Sequence, residues 1–419
     1  MSATTLDQTA REAVGSACAD VRDGEPADHV DGVVPGVVAR PADTDQVHEV
    51  LRAAAAHGLT VVPRGRGTKL SWGSPPSSAD VLLDVSALDQ VLEHAAGDLI
   101  VVTQAGTTMA DLQEVVARGG QRLALDETVS GASIGGTLAT NASGRHRVAT
   151  GTARDLLIGV TVVRADGVVA KAGGRVVKNV AGYDLGKLLI GSFGTLGVVT
   201  EAVFRLHPVP VATRWVSAHV SDPAQAQTMV QAVLHGQAVP GAIEVEWPTD
   251  GQGVVHVLLE GREDGVEGRS ATAKALLGGA TMESGDAPAG GATYPWDTAA
   301  TGDDRATCLK LTFALSGLAE VLAASSRTAL HLRGSAGAGV AYGALAPGTP
   351  VDEVAVAVRQ LRETCTRAGG SVVVVDAPAA VKSAVDLWGP VPAIDLMRRV
   401  KDQFDPEHRL APGRFVGGI

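Results

Sequence analysis

The sequence predicts an α+β fold in two main parts, an α/β region up to residue 208 and an α+β region from 209 onward. Three observations lead there. Glycine is plentiful at 51 residues while aromatics are only 3%, and Val and Ala abound; that mixture suits buried Val-rich strands, small-residue helices and tight turns. A GC-rich genome would enrich Ala, Arg and Gly in the same way. From Asp31 onward, short apolar runs of strand length alternate with stretches of helical period. Near Pro210 the glycine-rich character weakens, and strands alternate instead with longer helices. A length of 419 residues with 45% hydrophobic side chains provides two to three domains with sizeable cores.

The elements follow in order. Residues 1–29 form a polar lead-in, either a helix or a partly ordered tail. An apolar strand at 33–38 ends at Arg40-Pro41; Asp43 or Thr44 then caps a helix through His57, with Val47, Val50, Leu51 and Ala54 on one face. Gly58 closes that helix and a strand follows at 59–62. Further strands fall at 81–84, 99–103, 158–164, 168–171 and 198–206, and a helix at 108–118 follows a turn at Gly106. In the second part, strands at 215–220, 243–247, 254–260, 308–314, 328–332 and 372–375 accompany helices at 223–235, 268–277 and 351–367. The stretch 278–291 reads as an exposed loop. An amphipathic segment at 394–404 is broken by Asp405-Pro406 and Pro412-Gly413. The expected domains are 1–29, 30–208, 209–400, and a closing segment 401–419 that returns to the first domain.

Charge and cysteine usage exclude several function classes. The net charge of −11 is spread without a basic run, which argues against nucleic acid or an anionic membrane surface as partner. Cys18, Cys308 and Cys365 are far apart, so they form no iron–sulfur motif and suggest no disulfide framework; a reducing cytoplasm fits. Acidic residues through the first thirty positions are unlike a leader, and no apolar run reaches spanning length.

Three motifs carry chemistry. In Pro63-Arg64-Gly65-Arg66-Gly67-Thr68-Lys69, a strand runs into a loop whose glycines permit close backbone approach, and the N–H groups with three cations suit an anion. A plain strand-to-strand turn is the alternative. The order of residues fits neither a P-loop nor GxGxxG, because Leu70 stands where the third glycine would be. From Thr128 to Gly144 small residues run without a charge, which packing alone explains poorly; a backbone lying against a flat ligand explains it, with Ser133, Gly135, Gly136, Thr140, Asn141 and Ser143 at the contact. The third motif joins Lys178–Leu185 to Leu188–Ala202, where Gly197, Val198 and Val199 offer a backbone edge to an adenine ring.

In this order and spacing the motifs resemble the FAD-binding domain of the vanillyl-alcohol oxidase and p-cresol methylhydroxylase superfamily, over about residues 30–208. The resemblance implies a two-subdomain PCMH-type FAD-binding domain followed by a C-terminal α+β cap domain. It implies the pyrophosphate on Pro63–Lys69, the flavin along Ser133–Ser143 and the adenine at Gly197–Val199. The stretch from Gly174 to Asp184, with Gly191-Ser192-Phe193-Gly194-Thr195-Leu196-Gly197, is similar to the E-type FAD-binding subunits of glycolate oxidases; catalytic branches carry Glu where Phe193 stands. The closing Leu410-Ala411-Pro412-Gly413-Arg414-Phe415 is also similar, with Ala411 in place of the usual Asn.

The departures shape the expected function. No His lies between Pro63 and Gly73, so non-covalent FAD is expected. The counterpart of the dehydrogenases' metal-binding segment, Gly334–Tyr342, has lost both His, the Asp and the Asn; no metal is expected and the catalytic base stays unassigned, with His331 and Arg333 as weak candidates. The resemblance implies a cytoplasmic oxidoreductase subunit that oxidises a small 2-hydroxy acid, glycolate to glyoxylate. It would work beside a second flavin subunit and an iron–sulfur subunit, which would hold it at the inner face of the membrane. A stand-alone D-lactate-like dehydrogenase and a flavin-free assembly partner are the alternatives.

Overall fold

The computed structural model describes residues 6–175 and 184–419. The chain forms two compact units, one from Met1–Ala142, Thr152–Pro208 and Val391–Ile419, the other from Ser143–Gly151 and Val209–Pro390. Among the described residues no helix is long and apolar enough to cross a membrane.

In the first unit, strands Val37–Ala39, Val81–Asp84 and Val61–Arg64 are parallel neighbours, edged by antiparallel Val21–Asp23. Helix Thr44–Ala56 starts where the Asp43 carboxylate accepts the Gln46 N–H at 2.8 Å, and it buries Val47, Val50, Leu51 and Ala54. Each buried Val or Leu side chain contributes roughly 1.5–3 kcal/mol. The lead-in is more ordered than a tail: helix Gln8–Ala17 puts Ala10 and Val14 into the same core. A second, antiparallel sheet runs Val91–Ala95, Ile100–Gln104, Val198–Arg205, Leu157–Val163, Val169–Gly173.

Helix Ile394–Phe404 lies wholly in this unit, although the sequence reading carried the second domain to residue 400. The reason is Lys401, which is fully buried and donates to Asp405 at 2.7 Å and to the carbonyls of Thr195 and Leu410 at 2.8 and 3.0 Å. Beyond it, the Val61 N–H donates to the Arg409 carbonyl at 2.9 Å, and the Val61 carbonyl accepts the Ala411 N–H at 2.8 Å. The chain end thus lies along strand Val61–Arg64, directly before the glycine loop.

The second unit is one antiparallel eight-stranded sheet in the order Thr281–Ser284, Ala212–Val220, Gly253–Gly261, Ala242–Trp247, His331–Ser335, Val340–Leu345, Thr307–Thr312, Ser371–Asp376. One face carries Val216, Val245, Leu309, Leu311, Leu332 and Val374 into a core shared with helices Pro223–His235, Leu318–Arg327 and Val351–Arg367. Because side chains alternate along a strand, Lys310, Tyr342, Arg333 and Glu246 stand on the opposite face. Some expectations shift, among them the helix at 268–277, which begins at Glu263. The predicted loop at 278–291 contains strand Thr281–Ser284; the strand expected at 328–332 is His331–Ser335, since Thr328 still caps the preceding helix; and Val340–Leu345 was hidden by glycines.

Candidate functional site

The site grows from the end of strand Val61–Arg64. Gly67 turns the loop with φ +76°, a conformation that only glycine adopts freely. The three cations then separate by environment. Arg64 is drawn back toward carboxylates, Asp84 at 2.6 Å and Asp28 at 3.3 Å. Arg66 donates to the Gly106 carbonyl at 3.1 Å and reaches Asp89 at 3.5 Å. Lys69 is buried, and its Nζ has no hydrogen-bond partner among the described residues. Burial pushes its pKa down to about 8, with Glu127 pulling weakly the other way.

Against the loop lies helix Ile134–Thr140, which turns the small-residue run into a defined element. The Ser133 hydroxyl caps it by accepting the Gly136 N–H at 3.2 Å, and it also accepts the Arg66 N–H at 3.4 Å. The approach is close enough that a Cβ on Gly65 would overlap Ser133 Oγ. A Cβ on Gly135 would press on Ala105 at 3.0 Å. On Gly136 it would meet only Ser133, at 3.1 Å, and would otherwise face open space. Thr140 returns its hydroxyl to the Gly136 carbonyl at 2.8 Å.

The turn Gly191–Gly197 forms the third wall. Phe193 takes φ +56° between two positive-φ glycines, and its N–H donates to the Ala139 carbonyl at 2.9 Å. Strand Val198–Arg205 pairs with Ile100–Gln104 only from Glu201 on, so Val198 and Val199 stand before that ladder begins.

Two adjoining cavities result, sharing Pro63, Arg64, Gly65, Gly136, Ala139 and Phe193. One continues along Arg66, Gly67, Thr68 and Lys69 to Ser133 and Thr140; the other continues to Gly135, Gly197, Val198 and Val199. Of the cofactor-binding residues expected from the sequence, only Asn141 and Ser143 line neither cavity, and the weak catalytic candidates His331 and Arg333 line neither as well. Asn141 is the left-handed C-cap of the helix, and the Ser143 carbonyl accepts from Arg147 within the second unit. Residues 176–183, which hold most of the third motif's first half, lie outside the described residues.

Sequence reasoning missed Ala139, Phe193 and Arg414 as lining residues. Arg414 reaches the loop because the chain end returns, donating to the carbonyls of Leu70 at 2.8 Å and Trp72 at 2.6 Å. Its place behind Pro412-Gly413 was a usable signal; Ala139 gave none. His331 and Arg333 do come together, both on Glu246, with Arg333 Nη2 donating at 3.0 Å. That commits the Arg333 guanidinium to a carboxylate of the protein itself. In the segment 334–342, a turn at Ala336–Ala338 links the two strands.

The residues present suit a long, anionic, partly flat group. A buried ammonium without a partner lines one end, glycines at 65 and 136 leave backbone bare, and the cavity lengthens toward a strand edge. Comparison with known proteins agrees. The FAD binding domain family matches residues 35–173. Glycolate oxidase subunit GlcD of Bacillus subtilis is 33% identical over 52% of this chain and 46% of its own length. D-lactate dehydrogenase of Archaeoglobus fulgidus is 35% identical over 41% of this chain and 39% of its own. The chain thus spans under half the length of these curated relatives. An alkyldihydroxyacetonephosphate synthase structure superposes with TM-score 0.73 at 15% identity, covering 99% of this chain and 87% of that one. This α+β chain therefore carries a PCMH-type FAD-binding domain, and FAD is its cofactor.

Proposed function

We propose that the chain is an FAD-dependent oxidoreductase subunit acting on a small 2-hydroxy acid, with glycolate to glyoxylate as the leading reaction. The observation that carries the reading is the buried, unpartnered Lys69 ammonium on the glycine loop, where an anionic group would relieve an uncompensated charge. When bound, FAD supplies the acceptor for the hydride from the carbinol carbon. The loop Pro63–Lys69 holds the pyrophosphate through backbone N–H groups and Lys69. Gly135, Gly136, Ser133 and Thr140 flank the flavin, and the start of strand Val198–Arg205, where Val198 and Val199 pair with Val163 and Val162 on one edge but not with Ile100–Gln104 on the other, receives the adenine. With Thr68 and no imidazole in the loop, the cofactor is dissociable.

The similarity to a glycolate oxidase subunit supports assembly with a second flavin chain and an iron–sulfur chain, in the cytoplasm or against the inner membrane face through them. The similarity to a D-lactate dehydrogenase supports a stand-alone enzyme as the second reading. Dye reduction with glycolate and D-lactate separates them, using the FAD-loaded chain alone and then with its co-expressed partners. Turnover that needs the partners supports the subunit. Turnover of the single chain above about 1 s⁻¹, an ordinary enzyme rate, supports the second reading. No oxidation of either acid in either arrangement sinks both.

A further inference from the structure

The second unit carries a charge pattern that its own fold does not use. Across the non-core face of the sheet, Lys310, Tyr342, Arg333 and Glu246 stand opposite one another on four adjacent strands. Directly opposed side chains on one face are close neighbours. At one end of this row Arg333 is neutralised by Glu246. At the other end, Lys310 has no carboxylate partner among the described residues. Arg147 donates to the Tyr342 oxygen at 3.4 Å and otherwise to the carbonyls of Ser143 and Gly144, again with no carboxylate among the described residues. By contrast, Arg305 and Lys382 in the same unit both reach Asp376, at 2.9 and 3.0 Å.

The phenol between the two uncompensated cations is itself unusual. Tyr342 is buried, packed edge-on by Tyr294 and Trp296 with ring centroids 4.5 and 6.2 Å away. Burial pushes its pKa up, yet the charges of Lys310 and Arg147, with the hydrogen bond from Arg147, pull it below the ordinary value overall. Nearby on strand His331–Ser335, the Ser335 hydroxyl is buried without a partner among the described residues.

We propose that Lys310, Arg147 and Tyr342 form a binding site for a small organic carboxylate, the anion held between the two cations and hydrogen-bonded by the phenol. The proposal deepens the 2-hydroxy acid reading, on which its choice of ligand rests, and places recognition of the carboxylate on Lys310 and Arg147. Aromatic rings beside the cations suit a ligand with a short carbon skeleton rather than inorganic phosphate.

The test is calorimetric titration of the FAD-loaded full chain with glycolate and with D-lactate, alongside the flavin-to-protein ratio and Trp fluorescence. Lys310→Met and Tyr342→Phe are each expected to weaken binding about tenfold or more at unchanged FAD content, as loss of a charge-assisted hydrogen bond would. Lys310→Arg should restore most of the affinity, which a merely structural role for the lysine would not predict. Binding by both variants as tight as in the unaltered chain overturns the proposal. So does the absence of binding of either acid to the unaltered chain. Loss of FAD from the unaltered chain would instead count against the flavin reading; the same titration of the flavin-free chain still decides this one.

Discussion

Replacing Lys69 with Met should move stability and cofactor affinity in opposite directions. Lys69 is 6% exposed, and its ammonium has no hydrogen-bond partner among the described residues. Burial lowers its pKa from 10.5 to about 8, which at about 1.4 kcal/mol per pH unit is on the order of 3 kcal/mol against the charged form. Below pH 8 the lysine is charged in both the folded and unfolded chain, so the full penalty applies. As pH rises from about 8 to 10.5 the folded chain loses the proton first, and the stability of the flavin-free protein climbs. Lys69→Met should therefore raise the stability of the flavin-free protein at pH 7 by about 2–3 kcal/mol and flatten its dependence between pH 8 and 10.5. In the same variant FAD loses a charge-assisted hydrogen bond of about 1.5–3 kcal/mol, weakening Kd roughly ten- to hundredfold. Urea unfolding of the flavin-free chain gives the first quantity, and fluorescence titration with FAD gives the second. A variant that unfolds more easily while binding FAD unchanged would refute the reasoning, because Lys69 would then be satisfied by the protein.

Other perturbations follow from the same geometry. Gly67→Asp should abolish FAD binding in a folded chain, since it adds a negative charge and a Cβ at φ +76°; the flavin-to-protein ratio reports it, with circular dichroism as the folding control. Lys401→Met leaves the Asp405 carboxylate buried and unpaired, so stability to urea should fall by about 3–5 kcal/mol. Burial lowers His256 from 6.5 to about 4; the unfolded chain then takes up the proton first on acidification. Stability should be lost as pH falls from about 6.5 to about 4, on the order of 3 kcal/mol, and His256→Gln should remove that slope in thermal melts.

Local signals account for what the sequence disclosed. Helix Thr44–Ala56 was legible because its cap and its apolar spacing coincide, and helices Pro223–His235 and Val351–Arg367 were read with their full bounds. The glycine loop was legible as a turn, but its charges were not. Arg64, Arg66 and Lys69 look alike in sequence, and only the folded positions of Asp28, Asp84 and Asp89 pair the two arginines and leave Lys69 without a hydrogen-bonded partner among the described residues. Helix Ile134–Thr140 was hidden because Gly and Thr are poor helix formers; Ser133 as cap and packing against Ala105 override that propensity. Phe193 and Arg414 reach the cavity through contacts distant in sequence, Arg414 meeting Leu70 across more than three hundred residues.

The central claim is that one dissociable FAD lies along the loop Pro63–Lys69 and helix Ile134–Thr140. Gly136 faces the cavity with open space beyond Ser133, so Gly136→Val would fill it with little effect on the surrounding backbone. The deciding measurement is the flavin-to-protein ratio of the FAD-reconstituted chain and of Gly136→Val, taken before and after acid precipitation. About one FAD per chain is expected in the unaltered protein, released to the supernatant by acid, and less than about a tenth of that in the variant. Equal occupancy in both chains, or colour that stays with the precipitate, would contradict the account.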